Sequence, residues 1–154
     1  MSSDFANLLR VVETDPAAFS SMVNQDYSVL ARTGPHGETL LHWLAVEGRS
    51  EAVKQLARLG AQVDTVNEFG NTPLMECSQL GNGAMVSLLL ELGANPNKQS
   101  DRDKNTALHM AAESGRSDVV NLLLSGGADP LLKNTCGETA QDLHEFNRKW
   151  VRPD

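Results

Sequence analysis

Two histidines are the first candidates for chemistry, because imidazole can bind metal ions or transfer protons near neutral pH. His42 and His109 each follow a threonine by three residues and lie 67 positions apart. That distance is two lengths of a repeat described below, so the two rings should lie about two repeats apart. They would then be too far from each other to share a metal ion or a substrate.

The two cysteines are the candidate nucleophiles and redox groups. Two cysteines cannot build a disulfide scaffold or a four-cysteine metal site in one chain, which fits a reducing cytosol. Cys77 aligns with Leu44 and Ala111 at an inward helix position, so we expect an inert, buried thiol. Cys136 precedes Gly137 at a loop tip and should be exposed. It is either a surface thiol without a role or a redox sensor, although no nearby cysteine could resolve it.

Motifs for cofactors and catalysis are absent from the sequence. Gly81-Asn-Gly83 is half of a dinucleotide fingerprint, but it lacks the third glycine, a preceding strand and a downstream acid, so it predicts a turn. Asp101, Asp103 and Asp129 lack the spacing and the terminal glutamate of a calcium loop. No phosphate loop, His-Glu-x-x-His motif or serine elbow is present. We therefore expect no catalytic residue, no cofactor and no metal, and hence no enzyme.

Charge and length restrict the class of protein further. The chain has 154 residues, with 20 acidic and 13 basic ones and a net charge of −7. This balance disfavours a grip on nucleic acid, because phosphate backbones attract basic surfaces. No window approaches the apolar length of a membrane span, and the first ten residues do not resemble a signal peptide. We expect one domain, residues 1–154, in the cytoplasm and away from membranes.

A repeat organises the elements that carry these residues. Thr39, Thr72, Thr106 and Thr139 are spaced by 33, 34 and 33 residues. The dipeptides Gly60-Ala61, Gly93-Ala94 and Gly127-Ala128 follow the same steps of 33 and 34 residues. The one extra residue must therefore lie between Ala94 and Thr106, in a connecting segment and not in a helix.

Each repeat reads as two amphipathic helices followed by a polar loop. In one repeat, Leu108, Ala111 and Ala112 have helical spacing, and a second apolar stripe runs from Val119 to Leu124. Glycines favour the left-handed conformation that ends helices, so they mark the helix ends: Gly48, Gly81 and Gly115 for the first helix, and Gly60, Gly93 and Gly127 for the second. The polar stretch after the second helix predicts a hairpin finger that returns the chain to the next repeat.

These features resemble the ankyrin repeat, whose signature is Thr-Pro-Leu-His followed by two alanines. The motifs that carry the resemblance are Thr72-Pro73-Leu74, Thr106-Ala-Leu-His109 and residues Gly115–Asp129, in one register over about residues 34 to 142. The resemblance implies an all-α repeat solenoid, a stack of helix-turn-helix units with β-hairpin fingers. It also implies that His42 and His109 hydrogen-bond backbone between neighbouring repeats. Met75 occupies this position in the second repeat, where the contact should be missing.

The repeat pattern predicts three full repeats, residues 34–66, 67–100 and 101–133, between two degenerate caps. In the N-terminal cap, residues 1–33, Phe5, Leu8, Leu9 and Val12 share a helical stripe, and Asp15-Pro16 is a helix start. The C-terminal cap, residues 134–154, is polar from Thr139 onward and should contain one helix without a complete second one. Terminal units of a solenoid need one solvated face.

The resemblance also implies that the partner binds the concave row formed by finger tips and first helices. The candidate binding residues are His36, Glu38, Trp43, Val46, Glu47, Glu68, Phe69, Asn71, Gln79, Leu80, Arg102, Asp103, Asn105, Glu113 and Ser114. Phe69, Leu80, Val46 and Trp43 could form an apolar anchor. Alternatively, Trp43 packs between repeats and Phe69 is ordinary surface. The surrounding acids favour a partner with a basic or mixed surface.

The function that these observations favour is a protein-protein interaction module that binds one specific partner, as an adaptor or an inhibitor. A narrower alternative is an immunity-type inhibitor that masks a toxin or another enzyme. An enzyme with an unrecognised site and a sensor of small molecules or peptides are alternatives from other classes. Neither has support, because nothing in the sequence brings titratable groups together. In isolation we expect a monomer.

Overall fold

The computed structural model describes the backbone of residues 3–149 and the side chains of residues 4–144. Residues 1–2 of the predicted N-terminal cap and 150–154 of the predicted C-terminal cap lie outside the described residues. Between residues 3 and 149 the chain forms α-helices and a 3-10 helix at Tyr27–Ala31, with no strand. The α-helices are α1 (Ser3–Thr14), α2 (Pro16–Gln25), α3 (Leu40–Val46), α4 (Ser50–Arg58), α5 (Pro73–Leu80), α6 (Gly83–Glu91), α7 (Ala107–Glu113), α8 (Ser117–Ser125) and α9 (Ala140–Lys149).

The helices stack in two rows. The first helices of the pairs form one row, in which α3 packs between α1 and α5, and α7 packs between α5 and α9. In the second row α6 packs against α8. This arrangement confirms the predicted all-α repeat solenoid. No helix in the described part of the chain is long and apolar enough to cross a membrane.

The repeated threonines begin the first helix of each pair. Each is the N-cap residue, and its side-chain oxygen accepts a hydrogen bond from the backbone N–H three residues later: Thr39 from His42, Thr72 from Met75 and Thr106 from His109. Such a bond satisfies one of the backbone donors that a helix start leaves without an intrahelical acceptor. In each of these three repeats, the threonine therefore marks the start of the first helix.

The apolar core is continuous along the stack and repeats with the sequence period. Leu56, Leu89 and Leu123 occupy equivalent positions in the second helices and are fully buried. Full burial of one such side chain contributes about 1.5–3 kcal/mol. Cys77 is also fully buried, and burial raises the pKa of its thiol to about 12. The predicted burial of this thiol is confirmed.

The two histidines connect neighbouring repeats. Nε2 of His42 lies 3.1 Å from the carbonyl oxygen of Asn71, and Nε2 of His109 lies 3.1 Å from that of Glu138. The backbone N–H of Thr39 donates to Nδ1 of His42, so the ring is neutral with its proton on Nε2. Burial lowers the pKa of His42. The stability from this neutral ring is present above the unfolded-state pKa and is lost as the pH falls below it. The predicted structural role of both histidines is confirmed.

Met75 occupies the same position in the middle repeat, and its thioether has no proton to donate. Its sulfur instead lies 3.4 Å from the backbone nitrogen of Thr72.

Met75→His should supply the missing donor to the carbonyl oxygen of Asn105, which is equivalent to Asn71. We expect the free energy of unfolding to rise by about 1 kcal/mol, measured by urea denaturation at pH 8. Met75→Leu is the control of similar volume, and a histidine variant no more stable than the leucine variant would contradict the prediction.

The fingers are tight loops, each held by two internal backbone hydrogen bonds and not by the β-ladder of the predicted hairpins, although the first contains one isolated antiparallel bridge between Thr33 and Thr39. The closing bonds run from Gly34 N–H to Glu38, from Asn67 to Asn71 and from Asn134 to Glu138, with N···O distances of 2.8, 3.0 and 2.9 Å. In the third finger the bond runs from Ser100 to Asn105 at 2.8 Å and encloses one more residue. The extra residue therefore lies in the finger, as the spacing predicted.

Lys104 takes the place that glycine holds in the other fingers. The equivalent Gly37, Gly70 and Gly137 have φ angles of 76°, 78° and 80°, and Lys104 has a φ angle of 56°. It is the one residue other than glycine with positive φ between residues 3 and 149. A side chain in this left-handed region costs roughly 1–2 kcal/mol.

Lys104→Gly should relieve this strain. Because glycine also adds freedom to the unfolded chain, the net gain in the free energy of unfolding should be about 0.5–1 kcal/mol. Lys104→Ala removes the same charge and keeps the Cβ atom, so it is the matched control and should gain nothing. Chemical denaturation of the three proteins measures the difference, and equal stability of the glycine and alanine variants would contradict the assignment of strain.

A candidate protein-binding face

A groove of about 300 Å³ runs between the first helices α3 and α5. It is lined by Glu38, His42, Trp43, Val46, Glu76, Gln79 and Leu80. Five of these seven residues were candidates from the sequence, and His42 and Glu76 were not. The groove thus lies on the face that the finger tips and the first helices form together.

Trp43 both packs against the neighbouring helix and lines the groove. Its ring centroid lies 6.4 Å from that of Phe5 in α1, with the rings tilted by 60°. Gly34 permits this approach, since a Cβ atom there would lie 3.1 Å from the indole nitrogen of Trp43 and from a carboxylate oxygen of Glu38. Trp43 therefore packs between α1 and α3, as one of the two alternatives predicted, and it also lines the groove as a half-buried residue.

Glu76 is the functional candidate that the sequence reasoning missed. It is half-buried, and the side-chain amide of Asn67 donates to its carboxylate at 2.7 Å. Burial raises the pKa of Glu76, and the negative charge of Glu38 raises it further. A signal was present in the sequence, because the equivalent residues in the adjacent repeats are Trp43 and Met110. A carboxylate is unexpected at a position where both adjacent repeats have an apolar side chain.

A second group of residues, the tip cluster, surrounds Phe69 and consists of His36, Glu68, Phe69 and Arg102. Phe69 is 45% exposed, and its ring centroid lies 5.9 Å from the centroid of the His36 ring and 5.7 Å from the guanidinium carbon of Arg102. Nδ1 of His36 lies 2.6 Å from the carboxylate of Glu68. Arg102 donates to the backbone carbonyl of Glu68 at 3.3 Å. Three consecutive fingers therefore meet at one aromatic side chain.

The groove and the tip cluster are joined by Glu38. Glu38 lines the groove, and its carboxylate accepts a hydrogen bond from the backbone N–H of His36 at 3.0 Å. The structure thus brings nine of the fifteen candidates together. Six others lie outside both groups: Glu47, Asn71, Asp103, Asn105, Glu113 and Ser114. Some of these have structural contacts, such as the Asp103 carbonyl, which accepts from the Thr135 N–H at 2.9 Å.

The remaining reactive side chains lie apart from one another. Cys136 is exposed at a finger tip, as predicted. Over the described residues, no group of three or more His, Cys, Asp and Glu side chains is placed to hold a metal ion. Both nitrogens of His42 already have partners within the repeat stack.

The fold and this face define a helical repeat protein with a groove and a finger-tip cluster on one side. Residues 13–100 and 41–134 match ankyrin repeats in three copies. The chain belongs to the ankyrin-repeat family, whose repeats generally mediate protein-protein interaction and are typically not catalytic.

Similar proteins carry these repeats within longer chains. XBOS34 of Oryza sativa subsp. japonica, named a probable E3 ubiquitin-protein ligase, is 37% identical over 69% of this chain and 21% of its own length. The ankyrin repeat and KH domain-containing protein mask-1 of Caenorhabditis elegans is 38% identical over 66% of this chain and 4% of its own. Cyclin-dependent kinase inhibitor 2A of Monodelphis domestica is 33% identical over 66% of this chain and 58% of its own. The chain spans only part of each relative.

The half-buried carboxylate of Glu76 should lower the stability of the fold at neutral pH. Its pKa is raised in the folded state, so the cost is absent below the unfolded-state pKa and appears as the pH rises through the folded-state value. Glu76→Gln keeps an acceptor for Asn67 and should raise the melting temperature by a few degrees at pH 7. At pH 4 the gain should shrink.

Glu91→Gln is the matched control, because it removes an exposed carboxylate of α6 outside the groove. Thermal denaturation of both variants at the two pH values separates a local effect from the general effect of a lower net charge. A Glu76 variant that gains no more than the Glu91 variant, or gains equally at both pH values, would contradict the prediction.

Proposed function

We propose that this chain binds one specific protein partner through the groove and the tip cluster, as an adaptor or as an inhibitor that covers a surface of the partner. The observation that carries the proposal is the continuity of the two groups through Glu38. A peptide or loop lying on this face would contact both. The division into three full repeats with caps at 1–33 and 134–154, and a cytoplasmic monomer as the free state, are parts of the same proposal.

The composition of the face supports a partner with an apolar projection and basic or mixed surroundings. Val46 is 38% exposed, Phe69 is 45% exposed and Leu80 is 54% exposed. Exposed apolar groups that cluster on one face are typical of binding anchors. Glu38, Glu76 and the net charge of −7 make the surroundings acidic. Complementary charge speeds encounter and rejects acidic competitors.

An inhibitor is the narrower form of this proposal. This chain covers 58% of the length of cyclin-dependent kinase inhibitor 2A, more than of the other two relatives. That relative is named an inhibitor. A helical stack can inhibit by occlusion alone, since one rigid face covers the partner without any catalytic group. An immunity-type protein that masks a toxin would use the same mechanism.

Phe69→Ala should accelerate dissociation from the partner. Removal of a central aromatic anchor typically costs about 2 kcal/mol, which corresponds to roughly 30-fold weaker binding, mainly through the dissociation rate. Copurification from native extract and mass spectrometry would identify the partner, and surface plasmon resonance would then give both rate constants. The double charge reversal Glu47→Lys and Glu68→Lys should instead slow association, more strongly at low salt.

Leu131→Ala is the control for Phe69→Ala, because Leu131 is 78% exposed and lies outside both groups. Its rate constants should equal those of the wild-type chain. If the Phe69 variant and the charge-reversed variant also bound like the wild type, this face would not be the binding site.

A further inference from the structure

The charges and apolar groups of the groove restrict the class of side chain that it can bind. The inference drawn from them rests on the proposed function. We infer that the groove binds an arginine side chain of the partner protein, with its guanidinium between the carboxylates of Glu38 and Glu76 and its stem along Trp43 and Leu80. The partner is therefore a protein that presents an arginine on a loop or an extended segment.

The first support is the charge of the groove. Glu38 and Glu76 both line it, and the negative charge of Glu38 raises the pKa of Glu76. Neither carboxylate takes part in a salt bridge within the described part of the chain. Each accepts one hydrogen bond from a neutral donor, Glu38 from the His36 backbone and Glu76 from the Asn67 amide. A cation placed between them would relieve the repulsion and pair with both.

The second support is the apolar lining. Trp43, Val46 and Leu80 supply an aromatic ring and aliphatic groups beside the two carboxylates. Arginine has a methylene stem that packs on apolar groups and a planar cation that stacks on aromatic rings and binds carboxylates through paired N–H groups. Lysine also has a methylene stem that packs on apolar groups. Its charge is compact and strongly hydrated, so it lacks the planar cation with paired N–H groups. The combination of ring and paired acids therefore favours arginine.

The size and the donor set of the groove argue against other occupants. About 300 Å³ is the lower limit of small-molecule sites, so the groove suits one long side chain better than a folded element. A metal ion would need further ligands, and the nitrogens of His42 are engaged by Thr39 and by the Asn71 carbonyl. The groove also adjoins the tip cluster, so residues flanking the arginine would lie near Phe69.

The test uses the full-length, isotope-labelled chain and two blocked tripeptides, acetyl-Gly-Arg-Gly-amide and the same peptide with citrulline in place of arginine. Citrulline has the shape of arginine and no charge. The probe signals are the Trp43 indole resonances, with Trp150→Phe to assign the second tryptophan. We expect saturable shifts with the arginine peptide at a dissociation constant on the order of 1 mM, and binding at least 10-fold weaker with citrulline.

The carboxylates are tested by Glu38→Gln and Glu76→Gln, each of which should weaken binding of the arginine peptide about 10-fold, and by the control Glu91→Gln, which should leave it unchanged. Glu76→Gln removes one of the two groove charges and keeps an acceptor for the Asn67 amide, and its melting curve verifies that it is folded. A peptide with lysine should bind more weakly than the arginine peptide. Equal binding of arginine and citrulline, equal binding of arginine and lysine, or no saturable shift would overturn the inference.

Failure of this inference and failure of the proposed function give different results. With the copurified partner, loss of affinity in Phe69→Ala together with wild-type affinity in Glu76→Gln would overturn the arginine site and leave the binding face standing. Wild-type affinity in both variants would overturn both. If Glu76→Gln loses affinity, the arginines of the partner are then replaced one at a time and each partner variant is measured against Glu76→Gln. The arginine that binds the groove is the one whose replacement costs no further affinity.

Discussion

The stability of each helix pair in this chain depends on packing against the pairs beside it. The first helices α3 and α7 have seven residues each and α5 has eight. Isolated helices shorter than about 12–15 residues are marginal in water. These helices persist because buried leucines repeat at equivalent positions and because His42 and His109 each bond the backbone of the next repeat. Stability is therefore a sum of contacts between neighbours.

Since the stack takes its stability from inward positions, the outward positions of the first helices and the finger tips are available for binding. Glu76 shows what this permits. Burial and the charge of Glu38 raise the pKa of this half-buried carboxylate, and α5 is held in place by its packing against α3, α6 and α7. Proteins commonly keep such unfavourable groups where binding needs them. Because stability and binding use different positions, a groove with charged and aromatic side chains can form on the surface of the stack.

The periodic parts of the structure could be predicted from the sequence, and the parts that depend on contacts between unlike segments could not. The spacing of the threonines predicts the length of the repeat, the alignment of Cys77 predicts its burial, and the position of the extra residue between Ala94 and Thr106 predicts a longer third finger. The packing of Trp43 on Phe5 could not be deduced, because Phe5 belongs to the least regular segment. Glu76 was missed because its interactions come from outside its own helix: the Asn67 amide in a finger donates to its carboxylate, and the charge of Glu38 in the preceding repeat raises its pKa.

Departures from the repeat pattern are informative only when they converge in space. Trp43 and Glu76 hold one equivalent position in consecutive repeats, and both line the groove at the junction of α3 and α5. Met75 also departs from the pattern, but it is buried and does not line the groove. Lys104 departs from it as well, by placing a side chain where the other fingers have glycine, but it lies in neither the groove nor the tip cluster. The extra residue of the third finger is a sufficient local reason for that exception. The junction of α3 and α5 has no such local reason, because its helices keep the regular spacing. Binding of a partner therefore accounts for the side chains at this junction better than the stability of the fold does.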